Sequence, residues 1–224
     1  MSENSLIPIG NLSLPATTQD PSFLKTIESG NKFLPRVQLY GGNSEVVKGG
    51  EFPIGTFGLT KSKDSIVELG KAFDCLPLSW RYKAVRISPD DNHVSIFNPA
   101  NPEFAVIQAE AAEKGMTGSM CGIEFLLYLF DIKQYATYYF SSASALREAP
   151  TLRSLIGQVA TIKAKFIKKP KFSWHAPEVV TCSAPYEAPA AEDYMAELTK
   201  FNNPVDTEVV SVSAAEAASA ARAR

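Results

Sequence analysis

The sequence has little of what metal sites and redox sites require. It holds only two histidines, His93 and His175, and neither belongs to an H-E-x-x-H motif. Its three cysteines, Cys75, Cys121 and Cys182, form no C-x-x-C pair. These absences argue against a zinc site. The odd number and wide spacing of the cysteines also argue against a disulfide framework and indicate a reducing compartment.

Other common signals are missing as well. The chain contains no G-x-x-x-x-G-K-[ST] phosphate loop and no cluster of carboxylates suited to two-metal chemistry. It has no run of 18 apolar residues, and its N-terminus lacks the basic and apolar regions of a secretory signal. The sequence therefore predicts a cytoplasmic protein that is not an enzyme, uses no cofactor or metal and does not enter a membrane.

The composition nevertheless predicts a packed domain. Of the 224 residues, 45% are hydrophobic and 10% aromatic, which is enough for a real core. We expect a flexible arm over residues 1–31, the domain over 32–188, and a short helix with a disordered tail over 189–224. The helix is expected at about 190–201, because Tyr194, Leu198 and Phe201 follow i, i+4, i+7 spacing.

Most of the domain consists of short apolar runs separated by turn residues, which predict strands. The strands are expected at 33–40, 55–60, 65–69, 73–80 continuing toward 83–87, 94–97, 104–107, 123–130, 135–140, 158–167 and 172–182. The clearest hairpin joins 123–130 to 135–140 through a polar connection. One helix is expected from Ser142 or Ser144 to Ile156, kinked or restarted at Pro150 and closed by Gly157.

This order of elements predicts a mainly β fold. Many short strands with one helix inserted before the last pair favour a barrel of the oligonucleotide-binding kind over an α/β sheet. A sandwich with one crossover helix has a similar pattern, so it remains an alternative.

The charges are segregated along the chain, although the net charge is only −2. Residues 149–177 contain no Asp or Glu and six basic residues: Arg153, Lys163, Lys165, Lys168, Lys169 and Lys171. Residues 176–218 contain eight acidic residues and one basic residue, Lys200. A basic strand pair is thus joined to an acidic tail.

Alternation along the first strand of that pair predicts which side chains are accessible. It places Thr161, Lys163, Lys165 and Ile167 on one face and Ile162, Ala164 and Phe166 in the core. Lys168, Lys169 and Lys171 cluster at the turn, and Phe172 and Trp174 follow it. Amines spaced along an accessible strand suit phosphates, and flat rings suit unpaired bases. An ordinary solvated strand face with lysines protecting an edge is the alternative.

A second set of basic and aromatic residues lies earlier in the chain. Seven aromatic residues fall within 125–140, and we take Tyr128 and Tyr138 as candidate stacking residues. Arg81 and Lys83 alternate with Trp80 and Tyr82, and Arg86 follows; these three basic residues are candidate phosphate ligands. Packing in the core is the alternative for each tyrosine.

With these features the chain resembles the single-stranded DNA-binding proteins of phages and related mobile elements. The resemblance covers roughly 32–188 and includes FLPRVQL at 33–39, LGK at 69–71, PLSWRYKA at 77–84 and FSWHAP at 172–177. It implies an oligonucleotide-binding barrel in the host cytoplasm and an acidic tail that competes for the DNA groove and recruits replication proteins. This chain ends in ARAR instead of an acidic tip.

The expected function is sequence-independent binding and protection of single-stranded DNA in replication or recombination. Five lysines (163, 165, 168, 169 and 171) with Arg81, Lys83 and Arg86 would contact phosphates, and Tyr128, Tyr138, Phe172 and Trp174 would stack on bases. Two alternatives remain: a phage structural or assembly protein that makes protein–protein contacts, and a small enzyme acting on nucleic acid. A homo-oligomer is also left open.

Overall fold

The computed structural model describes residues 34–62, 65–87, 93–113, 118–182, 184–187 and 189–204. The strands in these residues are β1 (Arg36–Tyr40), β2 (Thr56–Ser62), β3 (Ser65–Gly70), β4 (Ala72–Ile87), β5 (His93–Ile96), β6 (Ser119–Leu129), β7 (Gln134–Phe140), β8 (Ala160–Lys168) and β9 (Ser173–Thr181). The helices are α1 (Glu45–Lys48), α2 (Pro102–Ala112), α3 (Ala143–Ser154) and α4 (Ala191–Asn202). The expected arm at 1–31 and the tail beyond 204 lie outside the described residues.

The described strands form one sheet in the order β3-β2-β1-β7-β6-β4-β8-β9, and β5 pairs with the second half of β4. The pairing of β1 with β7 is parallel, and the other pairings are antiparallel. The path of paired strands is open, with β3 and β9 at its two ends. The prediction of a mainly β fold is therefore confirmed.

The main core lies on one face of the sheet, because apolar side chains alternate with polar ones along the strands as expected. Phe57, Leu59, Phe125, Phe140 and Ile162 are fully buried there. Helix α3 closes this core with three buried residues, Ala145, Ala149 and Leu152. It also covers the edge strand β9, where the Glu148 carboxylate accepts a hydrogen bond from the Val179 amide at 3.0 Å. One backbone donor on the free edge of β9 thus has a hydrogen-bond partner.

A smaller core lies at the other end of β4. Phe104 and Ile107 of α2 pack on Ala84 of β4 and on Val94 and Ile96 of β5. The expectation of a strand at 104–107 was wrong, since these residues lie in α2. The start of this helix carries a cap signal, because the Asn101 side chain accepts from the Glu103 amide and proline occupies the first helical position.

The later elements agree with the sequence predictions. The hairpin of β6 and β7 is confirmed, with Ile123 paired to Phe140 and Leu129 to Gln134. Helix α3 begins after Ser142, whose hydroxyl accepts from the Ala145 amide. It runs without interruption through Pro150 to Ser154, so the expected restart at Pro150 does not occur. The final strand pair is confirmed as β8 and β9.

Helix α4 is also confirmed, and it is packed against the sheet. Its Phe201 is only 1% exposed. The Asn202 side chain accepts a hydrogen bond from the Ser79 hydroxyl, and the Phe201 carbonyl accepts one from Arg81. The outer face of β6 is consequently buried too, with Glu124 and Leu126 inaccessible.

Candidate functional site

The structure separates the predicted site residues into two groups. Seven of them lie together on the hairpin of β8 and β9: Lys163, Lys165, Lys168, Lys169, Lys171, Phe172 and Trp174. The other five lie on β4, β6 and β7 and take part in contacts within the domain: Arg81, Lys83, Arg86, Tyr128 and Tyr138.

The end of the β8–β9 hairpin extends past the rest of the sheet. Strand β8 pairs with β4 only from Ala160 to Lys163, and the Ala164 amide then donates to the Lys71 carbonyl. Beyond that point β8 pairs with β9 alone, and the Lys169 amide donates to the Phe172 carbonyl to close the turn. We call residues 165–175 the hairpin end.

The lysines of the hairpin are exposed and mostly unpaired. Lys163, Lys168, Lys169 and Lys171 are exposed, and no carboxylate among the described residues lies within salt-bridge distance of them. Lys165 pairs with Glu178 across the hairpin, and the hydrogen bond to that carboxylate raises the pKa of Lys165. Glu178 thus neutralises Lys165 in the middle of β8, whereas the three lysines around the turn, Lys168, Lys169 and Lys171, keep their full positive charge.

Aromatic rings occupy both faces of the hairpin end. Phe172 is 61% exposed, and its ring stacks on Trp174 with centroids 5.2 Å apart and planes 27° apart. The Trp174 indole is held in place by donating to the Ser144 hydroxyl at 3.2 Å. On the opposite face, Phe166 is 56% exposed and contacts the His175 ring at 5.1 Å.

The expectation that Phe166 lies in the core was wrong. Alternation assigned its face correctly, since it shares that face with the buried Ile162. Strand β4 no longer runs beside β8 at this position, so no neighbouring strand covers the ring. The length of β8 relative to its partner decides the exposure, and the sequence pattern does not reveal that length.

The hairpin end contacts the chain just before β2, near the other end of the sheet, through His175. Gly55, just before β2, has a φ of 79°, and a Cβ atom there would approach the His175 ring to 2.5 Å. A glycine is required at this position on both grounds, because a side chain would clash and the backbone is left-handed. The histidine therefore packs directly against the chain at Gly55.

Arg81 and Lys83 are committed to a buried carboxylate. Glu124 is 1% exposed and accepts from Lys83 Nζ at 2.6 Å and from Arg81 Nε at 2.8 Å. Burial lowers the pKa of Lys83, with Glu124 acting in the opposite direction. The Arg81 guanidinium also lies between the rings of Phe97 and Phe201, at 4.0 and 4.1 Å. Neither cation faces solvent as a phosphate ligand would.

Arg86 is likewise paired within the domain. It contacts Glu103 and Glu110 of α2, and Glu110 also accepts from the Ser119 hydroxyl at 2.7 Å. The hydrogen bond to Arg86 lowers the pKa of Glu110. This arginine attaches α2 to the sheet.

The two tyrosines pack within the protein. Tyr138 is 4% exposed, and its ring contacts Phe57 and Phe140 in the main core. Burial raises the pKa of its hydroxyl. Tyr128 is half-buried and contacts Phe130 and Tyr135. Tyr138 is therefore a core residue, as the alternative interpretation of the sequence expected, and it is not accessible to a base.

The hairpin end combines two chemical functions at one accessible place. Its lysines offer charge to an anionic chain, and its phenyl rings offer flat apolar surfaces. In the part of the chain that the structure describes, no group of three or more His, Cys, Asp or Glu side chains is arranged to hold a metal ion. No helix in the same residues is long and apolar enough to span a membrane.

Searches of protein-family models, of curated proteins and of solved structures find no match to this chain.

Proposed function

We propose that the protein binds single-stranded DNA without sequence preference, through the end of the β8–β9 hairpin. Lys168, Lys169 and Lys171 would contact phosphates, and Phe166 and Phe172 would stack on unpaired bases. Lysine contacts to phosphates carry no sequence information, and every base has a face that can stack. Such a protein would coat and protect strands exposed in replication or recombination.

One observation carries the proposal. Within eight residues, 165–172, the hairpin presents two phenyl rings more than half exposed and three lysines without a carboxylate partner in the described structure. Neither ring is needed to close a β-turn, and exposed apolar rings grouped among polar residues are typical of an interaction site. Their position among unpaired lysines supports a polyanion with apolar faces as the ligand.

The set of proposed contacts is narrower than the sequence suggested. Lys163, just before the hairpin end, is retained as a phosphate contact and Trp174, within it, as a stacking residue, whereas Lys165 already pairs with Glu178. Arg81, Lys83, Arg86 and Tyr138 are left out because of their internal contacts. An oligonucleotide-binding barrel is the architecture that the resemblance implies for this function, and the proposal does not depend on closure of the sheet.

Fluorescence anisotropy with a labelled oligo-dT and a duplex of equal length tests this function. The wild-type protein should bind the single strand more tightly, since bases in a duplex cannot stack on the phenyl rings. Replacing Phe166 and Phe172 by alanine should weaken binding by about 30-fold or more, because two stacked bases are lost and each is worth about 1–3 kcal/mol. Equal affinity for both probes, unchanged in this variant, would contradict the proposal.

A matched control separates the role of these rings from a general loss of apolar surface. Val106 and Met195 are 47% and 38% exposed and lie on α2 and α4, outside the hairpin. Their joint replacement by alanine should leave oligo-dT affinity unchanged.

The exposed rings also suit the second candidate function, a phage structural protein that makes protein–protein contacts. Ile54 is 52% exposed and precedes Gly55, which packs against His175, so apolar surface continues beside the hairpin. Light scattering that shows large assemblies without DNA, together with no anisotropy change, would favour this function over DNA binding.

A further inference from the structure

A second basic and aromatic cluster lies on β4, away from the hairpin. It consists of Trp80 and Tyr82 of β4 and Arg153 in the last turn of α3. Alternation puts the two rings on one face of the strand. Farther along β4, Ala84 and Arg86 contact α2. Tyr82 therefore lies on a stretch of sheet between two covered regions, and it is 45% exposed.

The three side chains are stacked in order. The Arg153 guanidinium carbon lies 3.7 Å from the centroid of the Trp80 ring. The Trp80 and Tyr82 rings meet edge to face, with centroids 5.3 Å apart and planes 86° apart. Stacking on the indole orients the guanidinium and reduces the conformational freedom that it would lose on binding a ligand.

The charge of Arg153 is available to a ligand. Arg81 and Arg86 both pair with glutamates, whereas no carboxylate in the described residues lies within salt-bridge distance of Arg153. Its sequence neighbours add no acid either, since residues 149–177 contain none. The exposed Arg153 guanidinium is suited to bind a phosphate, and the exposed Tyr82 ring beside it is suited to stack on an adjacent base.

We propose that Trp80, Tyr82 and Arg153 form a second contact site for the same single-stranded nucleic acid. An unpaired base would pack on the Tyr82 ring, and Arg153 would bind a neighbouring phosphate. This inference rests on the proposed function, and it extends the binding surface from the hairpin to the far half of β4.

The two sites lie at opposite ends of α3. Ser144 near the start of this helix accepts a hydrogen bond from Trp174, and Arg153 in its last turn stacks on Trp80. Nine residues of helix span roughly 14 Å, and the lysines of the turn lie farther from Trp80, because the hairpin end continues beyond Ala72 of β4 in the opposite direction. At about 3.4 Å per stacked nucleotide, a strand needs more than about 4 nucleotides to reach both sites, so a probe of about 30 nucleotides is long enough and one of about 3 is too short.

The tryptophans allow the two sites to be observed separately. The chain has only Trp80 and Trp174, one in each site. In the variant Trp174→Phe, all indole fluorescence comes from Trp80, and a base stacked beside that ring should quench it. Oligo-dT of about 30 nucleotides should therefore quench Trp80, and the additional change Tyr82→Ala should remove most of the quenching.

Arginine variants test the phosphate contact. In the otherwise wild-type protein, Arg153→Gln should lower affinity for the long probe and reduce the log–log salt slope by about 0.7, the value for one phosphate on a single strand. Arg147→Gln removes an equal charge from the same helix and should leave the slope unchanged. Neither change should affect a probe of about 3 nucleotides held at the hairpin, which is too short to reach Arg153.

Anisotropy recorded on the same samples distinguishes the two proposals. Binding with quenching of Trp80 that depends on Tyr82 supports the second site. Binding without any change in Trp80 fluorescence would overturn the second site and leave the hairpin proposal intact. Absence of binding at any salt concentration would overturn both.

Discussion

At the scale of single residues, the environment of a cation decides its role. Lys83 and Lys168 are the same type of residue, but their surroundings differ. Lys83 is 6% exposed and bonded to Glu124, whereas Lys168 is exposed beside a turn. The carboxylate that binds Lys83 comes from a different strand, 41 residues farther along the chain. Burial of Glu124 is tolerated because two cations contact it.

Replacing Glu124 by glutamine should strongly destabilise the fold. The change leaves Lys83 and Arg81 without a compensating charge in a buried place, so we expect a loss of about 3–5 kcal/mol in the free energy of unfolding. Urea denaturation measures it. Glu178→Gln breaks the exposed pair with Lys165 and should barely move the urea midpoint. Equal effects of the two changes would contradict the structural role given to Glu124.

The same carboxylate should make stability depend on pH. Burial acts to raise the pKa of Glu124, but Lys83 and Arg81 outweigh it and hold the pKa below the ordinary 4.5. A depressed folded-state pKa contributes stability that is complete above the unfolded value and is lost as pH falls through the folded value. Urea midpoints should thus decrease below about pH 4.5, and Glu124→Gln should remove part of that decrease.

The sequence predicts the role of a residue when that role is set by its neighbours in the chain, and fails when distant strands set it. Lys168 ends β8, and Lys169 and Lys171 lie in the short turn that follows; this turn is set by neighbouring residues and was predicted correctly. The buried state of Lys83 and Tyr138 depends on strands paired across the sheet, β6 with β4 and with β7. Alternation alone does not specify those partners.

At the scale of elements, local signals predicted most strands and two of the helices. Helix α2 was missed because its apolar residues Phe104 and Ile107 were read as part of a strand, although the Asn101–Pro102 start favours a helix. Helix α4 was predicted from the spacing of Tyr194, Leu198 and Phe201. Its docking on Arg81 was not predictable, since that contact joins residues 120 positions apart.

The docking of α4 should depend on Phe201. Truncating this buried ring to alanine removes its contact with Arg81 and leaves a cavity, so we expect a loss of about 3–5 kcal/mol. Thermal or urea unfolding measures the loss. Met195 lies on the same helix but is 38% exposed, and Met195→Ala should have little effect. A small effect of Phe201→Ala would mean that α4 contributes little to the fold.

At the scale of the whole molecule, a net charge of −2 conceals two regions of opposite sign. The hairpin end carries Lys168, Lys169 and Lys171, whereas the first turn of α4 carries Glu192 and Asp193. The region of positive electrostatic potential is therefore also the part of the hairpin that extends beyond the sheet. The sequence showed this segregation, but only the pairing of β8 with β4 shows that the hairpin end extends beyond it.

The dependence of oligo-dT affinity on salt measures how many phosphates the lysines of the hairpin neutralise. If Lys168, Lys169 and Lys171 each neutralise a phosphate, replacing all three by alanine should reduce the log–log slope by about 2, at about 0.7 per contact. The control changes Lys48, Lys61 and Lys200 to alanine; these exposed lysines lie outside the hairpin, and the net charge falls equally. We expect a reduced slope only in the hairpin variant, and equal slopes in both variants would contradict DNA binding through the hairpin lysines.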